Sequence, residues 1–155
     1  MKDAKFTAQS YYPGDRYRIL IYEPKRNLIA RYHVQGESPG EITIKLQPAG
    51  SLKGRLIDKD AAPIDGVELY AVQTSRMNKT DRVTIPPKSL ERKQHTDADG
   101  RFHLKGFLPG VKYTISAIGT RKFNGQEFPA ELGQIPFGKA LKAGQTVELG
   151  DVKFK

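Results

Sequence analysis

A chain of 155 residues has room for one domain of ordinary size, or one domain with a substantial extra segment, but not for two large independent domains. Fifteen glycines and ten prolines, with no long helical apolar pattern, favour short strands and tight turns over a helical or alternating βα plan. The lack of cysteine excludes disulfides, thiolate zinc sites and cysteine nucleophiles, while 26 Lys and Arg against 17 Asp and Glu give a net charge of +9, suited to polyanions or simply to a soluble surface of positive bias.

Met1–Ser10 carries no apolar signal-peptide core, and no run of about 18 apolar residues occurs, so neither a signal peptide nor a membrane span is expected. Strand patterns begin with Tyr17 to Ile19, after the turn residues Pro13 and Gly14. Ile42, Ile44 and Leu46 then alternate with Thr43 and Lys45, as a strand with one covered face does. Leu52, Gly54 and Leu56 alternate with Lys53 and Arg55. Past the Pro63 and Gly66 turn, Val67, Leu69 and Ala71 alternate with Glu68 and Tyr70.

Residues 75–94 break this rhythm. They carry a Pro86, Pro87 pair and the basic residues Arg76, Lys79, Arg82, Lys88, Arg92 and Lys93, and a loop of this length in a compact domain is usually functional or disordered. Pro87 to Glu91 has room for a single helical turn.

Asp97, Ala98, Asp99 and Gly100 then form a hairpin signal, with Gly100 free to take positive φ. Phe102 and Leu104 point inward against Arg101, His103 and Lys105; Tyr113, Ile115 and Ala117 point inward against Thr114 and Ser116. Val147 and Leu149 fall out of phase with Val152 and Phe154, which predicts a β-bulge at Gly150 and Asp151.

An internal repeat joins the two ends of the chain. Tyr11, Tyr12, Pro13, Gly14 with Tyr17, Arg18, Ile19 matches Phe107, Leu108, Pro109, Gly110 with Tyr113, Thr114, Ile115 at a spacing of 96 residues, the size of one sandwich domain. Ser38 to Ile44 echoes Lys142 to Glu148 more loosely. Residues 1–48 are therefore expected to be the second half of a preceding module, docked on a complete domain at 49–155, because apolar strand faces need covering.

The stretch from Gly50 to Phe154 resembles the carboxypeptidase regulatory-like domain, on Gly54, Arg55, Leu56, Ile57, Asp58 with Pro63 to Leu69, and on Thr96 to Leu104 with Leu108 to Ile115. The resemblance implies an all-β fold: an antiparallel Greek-key β-sandwich of the transthyretin-like type, with extra N-terminal strands. Ala61 stands where the family places a glycine, so the turn after Asp58 is expected to take another shape. The resemblance also implies a non-catalytic module of a larger, extracytoplasmic bacterial protein (periplasmic, surface or secreted), with a carbohydrate-binding role as the alternative.

Candidate chemistry is sparse. His33, His95 and His103 lie in separate segments without serine or acid in a nucleophilic order. His95 and His103 would face each other across the hairpin only if its register paired them, and two ligands without a third do not make a metal site, so two exposed polar residues on a solvated face are expected. Asp97 and Asp99 open like a calcium loop, but its twelfth position falls on Leu108. The sandwich enzymes fail on their own signatures: the terminal Tyr-Arg-Gly-Ser of hydroxyisourate hydrolases is missing, and so is the spacing for the two tyrosines and two histidines of the intradiol dioxygenase iron site. An isopeptide-forming last strand would need an asparagine where Asp151 stands.

No enzyme activity, metal or cofactor is therefore expected. Tyr12, Tyr22, Tyr32, Tyr70 and Phe123 are the rings available to a sugar platform, although aromatics more often fill cores. The candidate ligand-binding residues are Tyr70, Arg76, Lys79, Arg82, Lys88 and Arg92, without a stacking aromatic inside the loop for specific nucleic-acid recognition. Expected partners are neighbouring domains or another protein, or else a polysaccharide.

Overall fold

The computed structural model describes residues 16–34, 40–73, 81–82, 93–135 and 137–153. Among them every regular element is a strand: β1 Arg16–Glu23, β2 Leu28–Val34, β3 Gln47–Pro48, β4 Gly50–Ile57, β5 Glu68–Gln73, β6 Asp81–Arg82, β7 Lys93–His95, β8 Arg101–Phe107, β9 Tyr113–Phe123, β10 Gln126–Ile135 and β11 Thr146–Lys153. They form three sheets, ordered β3-β2-β1-β6, β10-β9-β5-β7 and β11-β4-β8.

The second and third sheets face each other as a β-sandwich, because the alternating stripes of β4, β5, β8 and β9 all turn inward. Leu52, Leu56, Phe102 and Leu104 meet Leu69, Tyr113, Ile115 and Ala117 in one core, each nearly or fully removed from water. Residues of alternate parity are half-buried or exposed, except Ser51, Ile57, Phe107 and Ser116, which are buried. Phe107 lies at the lower edge of this core, its ring 5.0 Å from that of Tyr113 and edge-on to it, while the Tyr113 hydroxyl accepts from the Leu108 amide at 3.1 Å.

Pairing is antiparallel except at two places: β11 runs parallel to β4, and β6 parallel to β1. The shift between Glu148 and Asp151 in the β11–β4 register, with Gly150 at φ 67°, is the expected bulge. Ile42, Ile44 and Leu46 keep their alternating half-burial but form no ladder; only Gln47–Pro48 pairs, with β2. The alternation there appears without the pairing of a strand.

The turn after Asp58 holds Ala61 at a positive φ, the conformation that glycine adopts most readily. Asp58 Oδ1 accepts from the amides of Asp60 and Ala62, both at 2.9 Å, and the Asp97 carboxylate repeats this on the amides of Asp99 and Arg101 at 3.0 and 2.8 Å. The carboxylate builds the turn, and Ala61 is forced into a left-handed φ of 65°. Ala61→Gly relieves that strain and is expected to raise stability by about 0.5–1 kcal/mol in urea denaturation.

The Asp97–Gly100 turn joins two sheets instead of two paired strands. β7 pairs with β5, placing His95 opposite Glu68, whereas β8 pairs with β4, placing His103 opposite Lys53. The crossing is held by buried Thr96. Its hydroxyl donates to the Ile64 carbonyl at 2.7 Å and accepts from the Val67 amide at 3.0 Å, so the backbone polar groups at the corner are satisfied.

Candidate functional site

The expected site residues do not assemble into one site among the described residues. Tyr70 is half-buried on β5, between Lys93 and Ser116. Arg82 belongs to β6, on a different sheet, where its backbone pairs with Tyr17. Arg76, Lys79, Lys88 and Arg92 lie outside the described residues, as does the helical turn expected from Pro87 to Glu91.

The aromatic candidates are likewise dispersed. Tyr12 falls outside the described residues, Tyr32 and Tyr22 occupy opposite faces of the β1–β2 hairpin, and Phe123 stands 70% exposed at the tip of β9.

The two hairpin histidines do not face each other. The switch of sheets at Thr96 separates them, and the closest link is the Gln94 side-chain oxygen, which accepts from the His103 backbone amide at 2.6 Å. His95 lies 3.9 Å from Glu68 on the outer surface, beside an open depression of about 380 Å³ lined by Gly66, Ile118, Thr120, Glu127 and Pro129. Among the described residues no group of three or more His, Asp or Glu is placed to hold a metal ion.

His103 sits on the outer face of β8, where burial lowers its pKa and the cations Lys105 and Lys53 lower it further, with Glu148 opposing. A base whose folded pKa lies below the unfolded value of about 6.5 takes up its proton more readily in the unfolded chain. Stability is then complete above that value and falls as the pH drops through it. His103→Gln is expected to flatten the dependence of the unfolding midpoint on pH between about 7 and 5.

Among the described residues, a dense set of polar contacts lies at the tip of the β1–β2 hairpin, on residues whose types carry no chemical signature in the sequence. Pro24, Lys25, Arg26 and Asn27 make the connection, with Asn27 at φ 52° and the Glu23 carboxylate accepting from the Lys25 and Arg26 amides at 3.1 and 2.8 Å. From this position the Asn27 side chain reaches the sandwich. Its oxygen accepts from Tyr22 Oη at 3.1 Å and from the Gly106 amide at 3.0 Å, and its nitrogen donates to the Ala49 carbonyl at 3.1 Å. The Asn27 carbonyl also accepts from the Ala49 amide at 2.8 Å.

Apolar contact completes the junction. Ile29, opposite Tyr22 in the hairpin register, is fully buried in the same core as Leu52 and Phe107, with Leu20 and Tyr22 packed against it. Gly106 permits the approach: at φ 79°, a side chain there would put its Cβ 3.1 Å from the Tyr22 ring. The hairpin's other face, Ile19, Ile21, Ala30 and Tyr32, points away from this junction. The signal in the sequence was an asparagine closing a turn just before an apolar strand. Asn124–Gly125 at the tip of β9–β10, a stronger hairpin signal, was passed over too.

No family model matches the chain, and no curated protein does. Solved structures of similar arrangement include a 9R-lipoxygenase from Cyanothece PCC8801, with 16% identity over 83% of this chain and 19% of that one, at a TM-score of 0.47. The major pilin subunit BcpA of Bacillus cereus has 17% identity over 89% of this chain and 37% of that one, at 0.42. The 3-chlorocatechol 1,2-dioxygenase of Rhodococcus opacus 1CP has 15% identity over 79% and 71%, at 0.37. The chain thus spans about a fifth of the lipoxygenase and about a third of the pilin subunit. The expectation of a chain without enzyme activity is corrected here: a lipoxygenase and catechol dioxygenases stand beside a pilin among the similar structures, so this arrangement excludes no enzyme, and at these scores it assigns no activity either.

Proposed function

We propose that the chain is a structural and interaction module that holds a neighbouring β-unit in a fixed orientation. In this reading residues 1–48 are the second half of a preceding module, and 49–155 a sandwich of the carboxypeptidase regulatory-like type, in a larger extracytoplasmic bacterial protein. The observation that carries the reading is the Asn27 junction, in which one side chain joins the hairpin to two separate backbone segments of the sandwich above a shared apolar core. A hydrogen-bonded pin over buried apolar contact resists both sliding and hinging, which is what a spacer between units requires.

Backbone ¹⁵N relaxation on the whole chain tests this. One rotational correlation time for β1–β2 and for the sandwich strands is expected. A distinctly shorter time for the hairpin would mean that it swings independently and fixes no orientation.

A further inference from the structure

β4 runs from the hairpin junction at Gly50, the proximal end, to Ile57 at the distal end. The distal end gathers the Asp58 and Asp97 turns, since Ile57 bridges to Pro63 and Arg55 pairs with Arg101. β9 and β10 extend beyond it as a finger tipped by Asn124 and Gly125.

Two features of this end lack an explanation within the molecule. Phe123 is 70% exposed and Phe128 47%, the two large apolar side chains left in water among the described residues. Phe123 pairs with Gln126 and Phe128 with Arg121, so the two rings occupy diagonal positions on one face. That face continues the buried stripe of Ile115 and Ala117, past the point where Leu132 covers Gly119.

The exposed charges of the distal end as a whole are mainly acidic among the described residues. Asp60, Asp65, Asp97, Asp99, Glu127, Glu131 and Asp151 are exposed there against exposed Lys59, Arg101, Lys122 and Lys153, and Lys59, Arg101 and Lys122 lie within 3.8 Å of Asp60, Asp99 and Glu127 respectively.

The proximal end is the reverse. Lys25, Arg26, Lys105, Lys112, Lys139 and Lys142 are exposed there, on the hairpin tip, the end of β8 and the loops after β8 and β10, and Glu23 is tied to Arg26 at 3.1 Å. Among the described residues, exposed carboxylates thus outnumber exposed cations at the end that carries the apolar finger, and cations dominate the opposite end.

We infer that the finger docks on the proximal end of a second copy of this chain, with Phe123 and Phe128 as the apolar anchors and the lysines of the partner copy facing the distal carboxylates. The inference rests on the reading of the chain as an interaction module, and names the partner. The contact joins two different surfaces, so it leaves a free finger and a free proximal end on every pair and propagates head to tail. At about 0.15 M salt, screening over about 8 Å suppresses the repulsion between net charges and leaves the local complementarity in force.

Sedimentation velocity of the whole chain from about 10 μM to about 1 mM tests this, with two double variants checked for wild-type circular dichroism. Phe123→Ser with Phe128→Ser removes the anchors; Lys112→Glu with Lys142→Glu reverses the receiving surface. Concentration-dependent growth is expected for the wild type, weakened about tenfold or more in either variant.

Mixing the two variants is the decisive arm. The first retains an intact proximal end and the second an intact finger, so they are expected to form a 1:1 pair that grows no further. A wild type that stays monomeric, growth unchanged in both variants, or a mixture with no heterodimer would each overturn the inference. Loss of growth in the phenylalanine variant alone would also do so, since it would indicate a symmetric contact between fingers. None of these results changes the relaxation test above, which concerns one chain only.

Discussion

Ile29→Ala is expected to lower the unfolding free energy by about 2–4 kcal/mol, in the range for emptying a buried aliphatic site. Ile29 belongs to β2, in the N-terminal hairpin, yet it is fully buried in the core of the sandwich. The loss is therefore expected in both places at once. Amide exchange protection in β4 and β8 should fall together with that in β1 and β2, because hairpin and sandwich share the cavity. A fall confined to the hairpin would mean that the sandwich stands without it. Substitution of an exposed ring such as Phe123 provides the contrast, with an expected change below about 0.5 kcal/mol.

Gly100→Ala has the second large expected effect, a loss of about 2–3 kcal/mol in urea denaturation. Part of it is the left-handed backbone at φ 73°, which costs an alanine about 1 kcal/mol. The remainder is contact: a Cβ at this position would collide with the Leu56 carbonyl oxygen and lie 3.1 Å from the Ile64 nitrogen and 3.2 Å from Pro63 Cβ. The Gly100 carbonyl also accepts from the Leu56 amide at 2.8 Å, so the turn cannot retreat without breaking a link to β4. Gly66→Ala separates the two terms. Gly66 has φ 69° with nothing within 4 Å of its Cβ position, so only the backbone term of about 1 kcal/mol is expected.

The features legible in the sequence are those decided within a few residues. The stripes Leu52–Leu56, Phe102–Leu104 and Tyr113–Ala117 predicted their own buried faces, because a strand's side chains alternate whatever it pairs with. The Asp97–Gly100 turn and the Gly150 bulge were legible for the same reason. What alternation cannot supply is the identity of the partner strand. His95 and His103 flank one turn, and only the burial of Thr96 between Ile64 and Val67 sends them to different sheets.

Ala61 shows a local conformation that residue type alone does not reveal. Its positive φ is not visible in the residue type, since the Asp58 carboxylate holds two amides and imposes that conformation on alanine. For the functional site, the composition of the 75–94 loop drew attention to its basic residues, most of which lie outside the described residues. The junction rests on Asn27, Gly106 and Ala49, three small residues without chemical signature, and is visible only once 79 residues of separation between Asn27 and Gly106 have been closed by folding.

The central claim is that the N-terminal hairpin and the sandwich form one cooperative unit. Differential scanning calorimetry of the whole chain tests it most directly. The account predicts a single transition whose calorimetric and van't Hoff enthalpies agree. Two transitions, or a calorimetric enthalpy well above the van't Hoff value, would contradict it, since the hairpin would then melt apart from the sandwich and the Asn27 junction could not transmit a fixed orientation.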